Sequence, residues 1–372
     1  MHKGGWGGQP NRILVVSKEL KRLGHHVVIA APKGATLVSR AREAGIETFD
    51  GVRFPKRFNP ITFVREVLAL RRVMEKHRIE VVHTHGSQDT WVATLGAKLL
   101  GDRPVPVVRT RHNTFPVQNH FANRILYRAL TDRVIVVSRA VTELFRKTGV
   151  LGSKVERCVA IHSVVDAEER FNPARVTPAN LRRELGLPQK AFLLTKTARL
   201  AQEKGHTHAL RVLKRLRETL PNLHLALPGE GPLREELEAQ AQALGIAGEV
   251  HFLGLRDDVP SLLKESDLFL FTPTAGESLG TAALEALAME VPVVAFWMGG
   301  IDASVKQGET GYLTPVGDEE RMVRHALALL TNPRGRKVMG KAGRRRVKHF
   351  FSPVSLVDGN LKVYRELLSQ RG

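Results

Sequence analysis

The sequence predicts an α/β protein made of two doubly wound halves, and three observations lead there. Short apolar runs of strand length alternate with helix-like stretches along the 372 residues, the pattern of parallel strands joined by helical crossovers. Most of these runs end in polar residues or glycine, as strands do where an open sheet receives its ligand. The rhythm breaks once, over residues 166–190, where Asn172-Pro173, Pro178 and Leu187-Pro188 fall among charges, and then resumes. Length alone also favours two domains over one.

Composition narrows the function classes. With 42% hydrophobic and 25% charged residues, the chain reads as a folded globular protein and not a disordered one. Its apolar runs fall short of the roughly 18–20 residues that span a bilayer, and residues 1–6 carry no apolar core of a secretory signal. The single cysteine, Cys158, forms no internal disulfide and has no partner for a thiolate metal site. A cytoplasmic protein is expected, peripheral at the inner face of the cytoplasmic membrane if it meets one. The net charge of +20 is uneven: residues 1–165 hold 28 Lys and Arg against 12 Asp and Glu, the remainder 29 against 25. Attraction to an anionic surface or ligand and plain solubility both account for that excess.

In chain order, the glycine run Gly4-Gly5-Trp6-Gly7-Gly8 comes almost at once. Doubly wound domains usually open with a strand feeding such a turn, so a first strand is missing from its expected place. Residues 27–32 form a short strand ahead of a helix over 35–44. A basic helix follows over 63–78, with Arg65, Arg71, Arg72, Lys76 and Arg78 among Val64, Val67, Leu68 and Met74. That amphipathic pattern suits a membrane surface, or equally a core-facing helix with a solvated basic side. The strand at 81–85 carries His83 and His85, which at period two point to one side. With no third ligand beside them, no metal site is expected there. The strands at 105–112 and 133–138 end on Arg109, Arg111 and His112, and on Ser138. Past the break, strands are expected at 192–195, 223–227, 250–253, 268–271 and 291–296. The organisation read from this is an N-terminal domain over 1–165, a linker over 166–190, a second domain over 191–350 and a terminal helix over 351–372.

The most informative segment is Gly276-Glu277-Ser278-Leu279-Gly280-Thr281, followed by the Ala/Leu-rich stretch that holds Glu285. A strand leads into a polar turn, and the turn into a helix whose unpaired N–H groups suit a phosphate. Glu277 and Glu285 would face one ligand and accept hydrogen bonds from vicinal hydroxyls. A capping carboxylate with a solvated helix glutamate is the plainer account of the segment taken alone. Upstream, Arg199 and Lys204 follow another strand end and make a plausible diphosphate clamp.

Together with Pro228-Gly229-Glu230-Gly231, Pro292-Val293-Val294, Gly299-Gly300 and Gly308–Leu313, these segments resemble the group 1 (family 4) retaining glycosyltransferases of the GT-B fold. The resemblance implies two Rossmann-like domains facing a cleft, with a C-terminal helix crossing back to the first. It implies that Arg199 and Lys204 bind the donor diphosphate and neutralise it as it leaves, and that Glu285 holds the donor ribose. Glu277 would contact the transferred sugar, with backbone N–H groups of Ser278, Leu279 and Gly280 alongside. Gly7 and Gly8 would approach the donor phosphates. His112 would lie beside the reacting sugar, with His83, His85, Arg109 and Arg111 on the acceptor side. The implied activity moves a hexosyl- or heptosyl-type sugar from a nucleotide-diphospho-sugar to a hydroxyl, with no cofactor or metal required. Cell-envelope polysaccharide, lipopolysaccharide and glycolipid synthesis are the settings this suggests, with a sugar, lipid-linked or lipopolysaccharide acceptor and an anionic membrane surface as partners.

The chain departs from the family pattern in places. Ser163-Val164-Val165-Asp166 stands where relatives show Asn-Gly-Val-Asp, and Glu290 where a glycine is common. An epimerase or phosphorylase on the same fold, or an inactive donor-binding protein, is the alternative. A nicotinamide oxidoreductase would show G-x-G-x-x-G after a first strand with an acidic residue about 20 positions on, and that is not in place. A nucleic-acid binder would fit the charge, but aromatics are only 6% and lie mostly in apolar runs.

Overall fold

The computed structural model describes residues 8–54, 59–101, 105–112 and 115–370. The chain divides into two compact units, residues 1–164 with 353–372, and residues 165–352. Its strands are β1 (Val28–Ala30), β2 (Glu47–Phe49), β3 (Val82–Thr84), β4 (Val107–Arg111), β5 (Arg133–Val136), β6 (Cys158–Ala160), β7 (Phe192–Thr195), β8 (Leu223–Pro228), β9 (Val250–Gly254), β10 (Leu268–Phe271), β11 (Val293–Phe296) and β12 (Gly311–Thr314). Every ladder between them is parallel.

The second unit holds one six-stranded sheet in the order β12-β11-β10-β7-β8-β9. Its strands are apolar on both faces because helices cover both. The alternation in β10 makes this plain: Leu268 and Leu270 pack with Leu210, Leu213 and Leu225 on one side. Phe269 and Phe271 pack with Leu284, Leu287 and Val293 on the other. Strand order reverses between β7 and β10, the place in an open α/β sheet where ligands bind at the carboxyl ends of the strands.

Residues 166–190, expected to be a linker, are instead part of this unit. Val165, Ala167 and Phe171 are buried in the core beside Ala283 and Leu287. Leu181 is buried against Leu193 and Leu262. The Arg182 guanidinium donates to the Glu265 carbonyl (2.8 Å) and to Asp267 (3.1 Å). Prolines and charges broke the periodic pattern, but apolar side chains between them are anchored, and three hydrogen-bonded acidic and basic groups hold the segment down.

The first unit contains two sheets, β1-β2 and β3-β4-β5-β6. Helix Gly8–Arg22 precedes β1, and helix Pro60–Lys76, capped by Asn59, which accepts from the Thr62 N–H at 2.9 Å, precedes β3. Helix Pro353–Ser369 returns to this unit, burying Leu356, Val363 and Leu367 with Val16, Val108, Ile135 and Ile161.

Candidate functional site

In the second unit the loops after β7 and β10 are bonded to each other. The Thr274 N–H donates to the Glu203 carbonyl at 2.9 Å, and the Thr272 hydroxyl to the Gly205 carbonyl at 2.7 Å. Gly205 caps helix His206–Arg217 in the left-handed region, φ +62. A Cβ there would stand 2.0 Å from the Thr272 carbonyl oxygen, so the approach requires glycine.

This junction delivers Lys204 to Glu277. Lys204 Nζ lies 3.2 Å from Glu277 Oε2, and both side chains are largely buried. Glu277 Oε1 accepts from the backbone N–H of Ser278 (3.2 Å) and of Gly280 (3.0 Å). Gly280, at φ +75, opens helix Thr281–Ala288. The N–H groups of Ser278 and Gly280, expected to face a donor, are thus engaged by the neighbouring carboxylate. The reason is geometric: a glutamate three residues before a helix's left-handed cap reaches back to its orphan donors. Glu277 is thereby held by two backbone donors and a cation.

Arg199 is exposed and pairs with Glu203 at 2.8 Å, so of the two expected clamp cations only Lys204 is built into the junction. Glu285 is half-buried on helix Thr281–Ala288, and burial raises its pKa to about 7, opposed by Arg170. Two residues that the sequence did not single out lie beneath. Lys196, directly after β7, is buried and donates to the Lys204 carbonyl at 2.8 Å. Burial, with the nearby Lys204 charge, lowers its pKa to about 7. His206 is buried with no partner for either ring nitrogen among the described residues, and burial lowers its pKa to about 3. A cation immediately at a strand's carboxyl end was the available signal for Lys196; for His206 there was none.

In the first unit the structure brings together three of the predicted histidines. His83 and His85 stack with ring centroids 4.3 Å apart, and His85 Nδ1 lies 3.1 Å from His112 Nε2. His83 also hydrogen-bonds with Tyr364 Oη (2.6 Å) and Thr110 Oγ1 (2.7 Å). Burial first, then neighbouring positive charge, holds His83 and His112 well below the usual histidine range. Burial lowers His85 to about 4.

Arg109 departs from expectation. It is 3% exposed, its guanidinium lies 4.6 Å from the centroid of the Tyr127 ring and it donates to Ser87 at 3.2 Å. Its place inside β4 buries it, where the expected acceptor-side position was at the strand's end. Arg111, two residues on, is less buried and donates to the Phe115 carbonyl at 2.7 Å. Gly8 begins helix Gly8–Arg22; Gly7 lies outside the described residues. Among those residues no helix is long and apolar enough to cross a membrane.

Residues 6–169 match the profile of Glycosyltransferase Family 4, and residues 179–346 that of Glycosyl transferases group 1. The chain is 26% identical over 318 residues to the UDP-Gal:alpha-D-GlcNAc-diphosphoundecaprenol alpha-1,3-galactosyltransferase of Escherichia coli, covering 82% of this chain and 80% of that one. It is 25% identical over 307 residues to the N-acetyl-alpha-D-glucosaminyl L-malate synthase of Bacillus anthracis, covering 80% and 78%. Among solved structures, a glycosyltransferase from Rickettsia africae ESF-5 superposes with a TM-score of 0.87 at 21% identity, over 97% of this chain and 95% of that one. Anabaena Alr3699/HepE in complex with UDP does so with 0.81 at 20% identity, over 98% and 97%. These superpositions share the GT-B fold. With one profile on each half, the two together spanning most of the chain, the protein belongs to the group 1 (family 4) glycosyltransferases.

Proposed function

We propose that this glycosyltransferase moves a hexosyl- or heptosyl-type sugar from a nucleotide-diphospho-sugar to a hydroxyl with retention, in cell-envelope polysaccharide, lipopolysaccharide or glycolipid synthesis. The observation that carries the donor reading is the Lys204–Glu277 pair at the switch between β7 and β10. Cleaving a glycosyl–phosphate bond puts negative charge on the departing diphosphate. Lys204, Arg199 and the N-terminus of helix Thr281–Ala288 supply positive charge to meet it. These groups do the work that a metal would otherwise do, and no cofactor is needed. Glu277 accepts from the sugar and Glu285 from the ribose. On the acceptor side half-buried His112 offers a hydrogen-bonding ring nitrogen, with His85 3.1 Å away and His83 stacked on His85.

Two names support this reading. The Escherichia coli relative is described as taking UDP-Gal and a diphosphoundecaprenol-linked sugar, and the Anabaena structure holds UDP. A lipid-linked acceptor also accords with helix Pro60–Lys76, on which Ile61 (74%), Val64 (55%) and Leu68 (41%) are exposed beside Arg65 and Arg72. The test is a thermal-shift series with UDP-, GDP- and ADP-sugars, since ligands that bind only the native state raise its melting temperature. One sugar nucleotide should raise it, and Lys204→Ala should remove that rise and slow transfer about 10²–10³-fold. Full transfer by Lys204→Ala would sink the assignment.

A further inference from the structure

Among the described residues one group of three metal-ligating side chains converges on a point: His26, Glu47 and His77, whose ligating atoms all lie within 4.8 Å of one another. His26 Nε2 stands 3.0 Å from Glu47 Oε2, and His77 Nε2 stands 3.4 Å from Glu47 Oε1. The two imidazole rings are 5.3 Å apart between centroids and tilted by 45°. All three residues belong to the unit of residues 1–164 with 353–372. They sit at the amino ends of its strands, whereas an open α/β sheet takes its substrate at the carboxyl ends.

Each of the three comes from a separate element. Glu47 opens β2 and lies opposite Val28 in the β1–β2 ladder, and His26 stands two residues ahead of Val28. His77 ends helix Pro60–Lys76, its N–H donating to the Val73 carbonyl at 3.0 Å. Arg78 then turns to φ +47 on the way to β3. Because β1-β2 and β3-β4-β5-β6 are separate sheets, an ion held by all three side chains would tie the two-stranded sheet to the helix that feeds the four-stranded one. His26 and Glu47 are exposed, so an ion reaches them from solvent, while the His77 side chain is only 13% exposed and held in place.

We infer that His26, Glu47 and His77 bind a zinc ion, or a similar borderline divalent transition-metal ion, with water completing the shell, and that this ion pins the two-stranded sheet to helix Pro60–Lys76. Two nitrogens and one oxygen are a donor set that zinc takes, at about 2.0–2.2 Å from each, which puts ligand atoms roughly 3.3 Å apart in a tetrahedral shell. Both contacts to Glu47 already have nearly that spacing. A shift of about 1–1.5 Å in the exposed His26 ring brings the two imidazole nitrogens to it as well. A plain ion pair is the competing account, and it serves the cluster less well. Two imidazolium rings with centroids 5.3 Å apart repel each other, whereas neutral rings turn their lone pairs to one point beside the carboxylate. That single carboxylate also has the Lys76 charge nearby, so hard ions such as Mg²⁺ and Ca²⁺, which need several oxygen ligands, are disfavoured. Imidazole selects the borderline ions instead. The inference concerns this unit alone and is independent of the donor site in the other.

The test uses the whole chain, stripped with a chelator, dialysed and titrated with zinc chloride by calorimetry. One ion per chain should bind with a Kd below about 10 µM and raise the melting temperature, as ligands of the native state do. Co²⁺ in its place should show the visible absorption bands of an ion ligated by nitrogen and oxygen, and Mg²⁺ should give no rise. His26→Ala and Glu47→Gln should each weaken zinc binding at least about a hundredfold, more than the loss of an outer-shell partner costs. Both side chains are exposed, so these variants should keep the fold, as circular dichroism would check. Zinc should also slow amide exchange at residues 47–49 and 77–79 at least about tenfold. A Kd weaker than about 10 µM, or equal binding by His26→Ala and the parent, overturns the site; binding without slower exchange overturns the pinning.

Discussion

Glu285 carries the clearest pH signature of the site. Its pKa is raised to about 7 by burial, so the folded protein favours the protonated acid. The sign follows: the stability contributed by this group falls as pH rises from the ordinary carboxylate range through about 7. A ribose hydroxyl bonds more strongly to the ionised form, so donor affinity should rise between pH 6 and 8. Glu285→Gln should weaken binding about tenfold at pH 8 and flatten that rise, as titration calorimetry at several pH values would report. An unchanged pH profile in the variant would remove Glu285 from the ribose. At this scale the sequence was legible where a residue type was out of character. Glu290, standing in the place of a glycine, adopts φ +63, the conformation that glycine would have occupied without strain. Arg109 was not legible, because β4 is buried on both faces up to Thr110 and a charged residue in the strand reads from the sequence as a sign of its exposed end.

The joint between the β7 and β10 loops is an element-scale feature, since neither loop presents its cation or carboxylate alone. Gly205→Ala would place a Cβ 2.0 Å from the Thr272 carbonyl oxygen. Backbone cannot yield as a flexible side chain does, so this overpacking should cost about 1–3 kcal/mol, plus about 1 kcal/mol for alanine in the left-handed region. Chemical denaturation should show that loss, and donor binding should weaken with it because Lys204 is the adjacent residue. Retained stability and binding would mean that the loops tolerate separation. Apolar strand runs and the Gly276–Glu285 motif were readable because alternation and glycine placement follow local geometry. The engagement of the Ser278 and Gly280 N–H groups by Glu277 was not, since it depends on a carboxylate folding back on its own turn. Residues 166–190 were misread for a related reason: their anchors, Glu265 and Asp267, lie some 80 positions away.

For the whole molecule, the charge asymmetry and the exposed apolar stripe of helix Pro60–Lys76 point the same way. Anionic lipid attracts each nearby basic side chain by about 1 kcal/mol, so the protein should float with phosphatidylserine or phosphatidylglycerol vesicles at low salt and leave them as salt rises. Leu68→Glu with Val64→Glu should reduce that binding without altering donor affinity; equal flotation by the variant would assign the stripe another role. The parallel α/β architecture was legible because nine of the twelve strands among the described residues were read as apolar runs, whereas the short β2, β6 and β12 were not. The route of the last helix was legible only through the family resemblance. That route has a consequence for how the chain is made. Residues 1–164 emerge from the ribosome before residues 353–369, yet their core includes Leu356, Val363 and Leu367, while the core of segment 165–352 is drawn, among the described residues, from within that segment. Domains that fold during synthesis do so as they emerge, so here the order is inverted: the second unit can close on its own schedule, and the first must wait, apolar surface uncovered, until helix Pro353–Ser369 has been made.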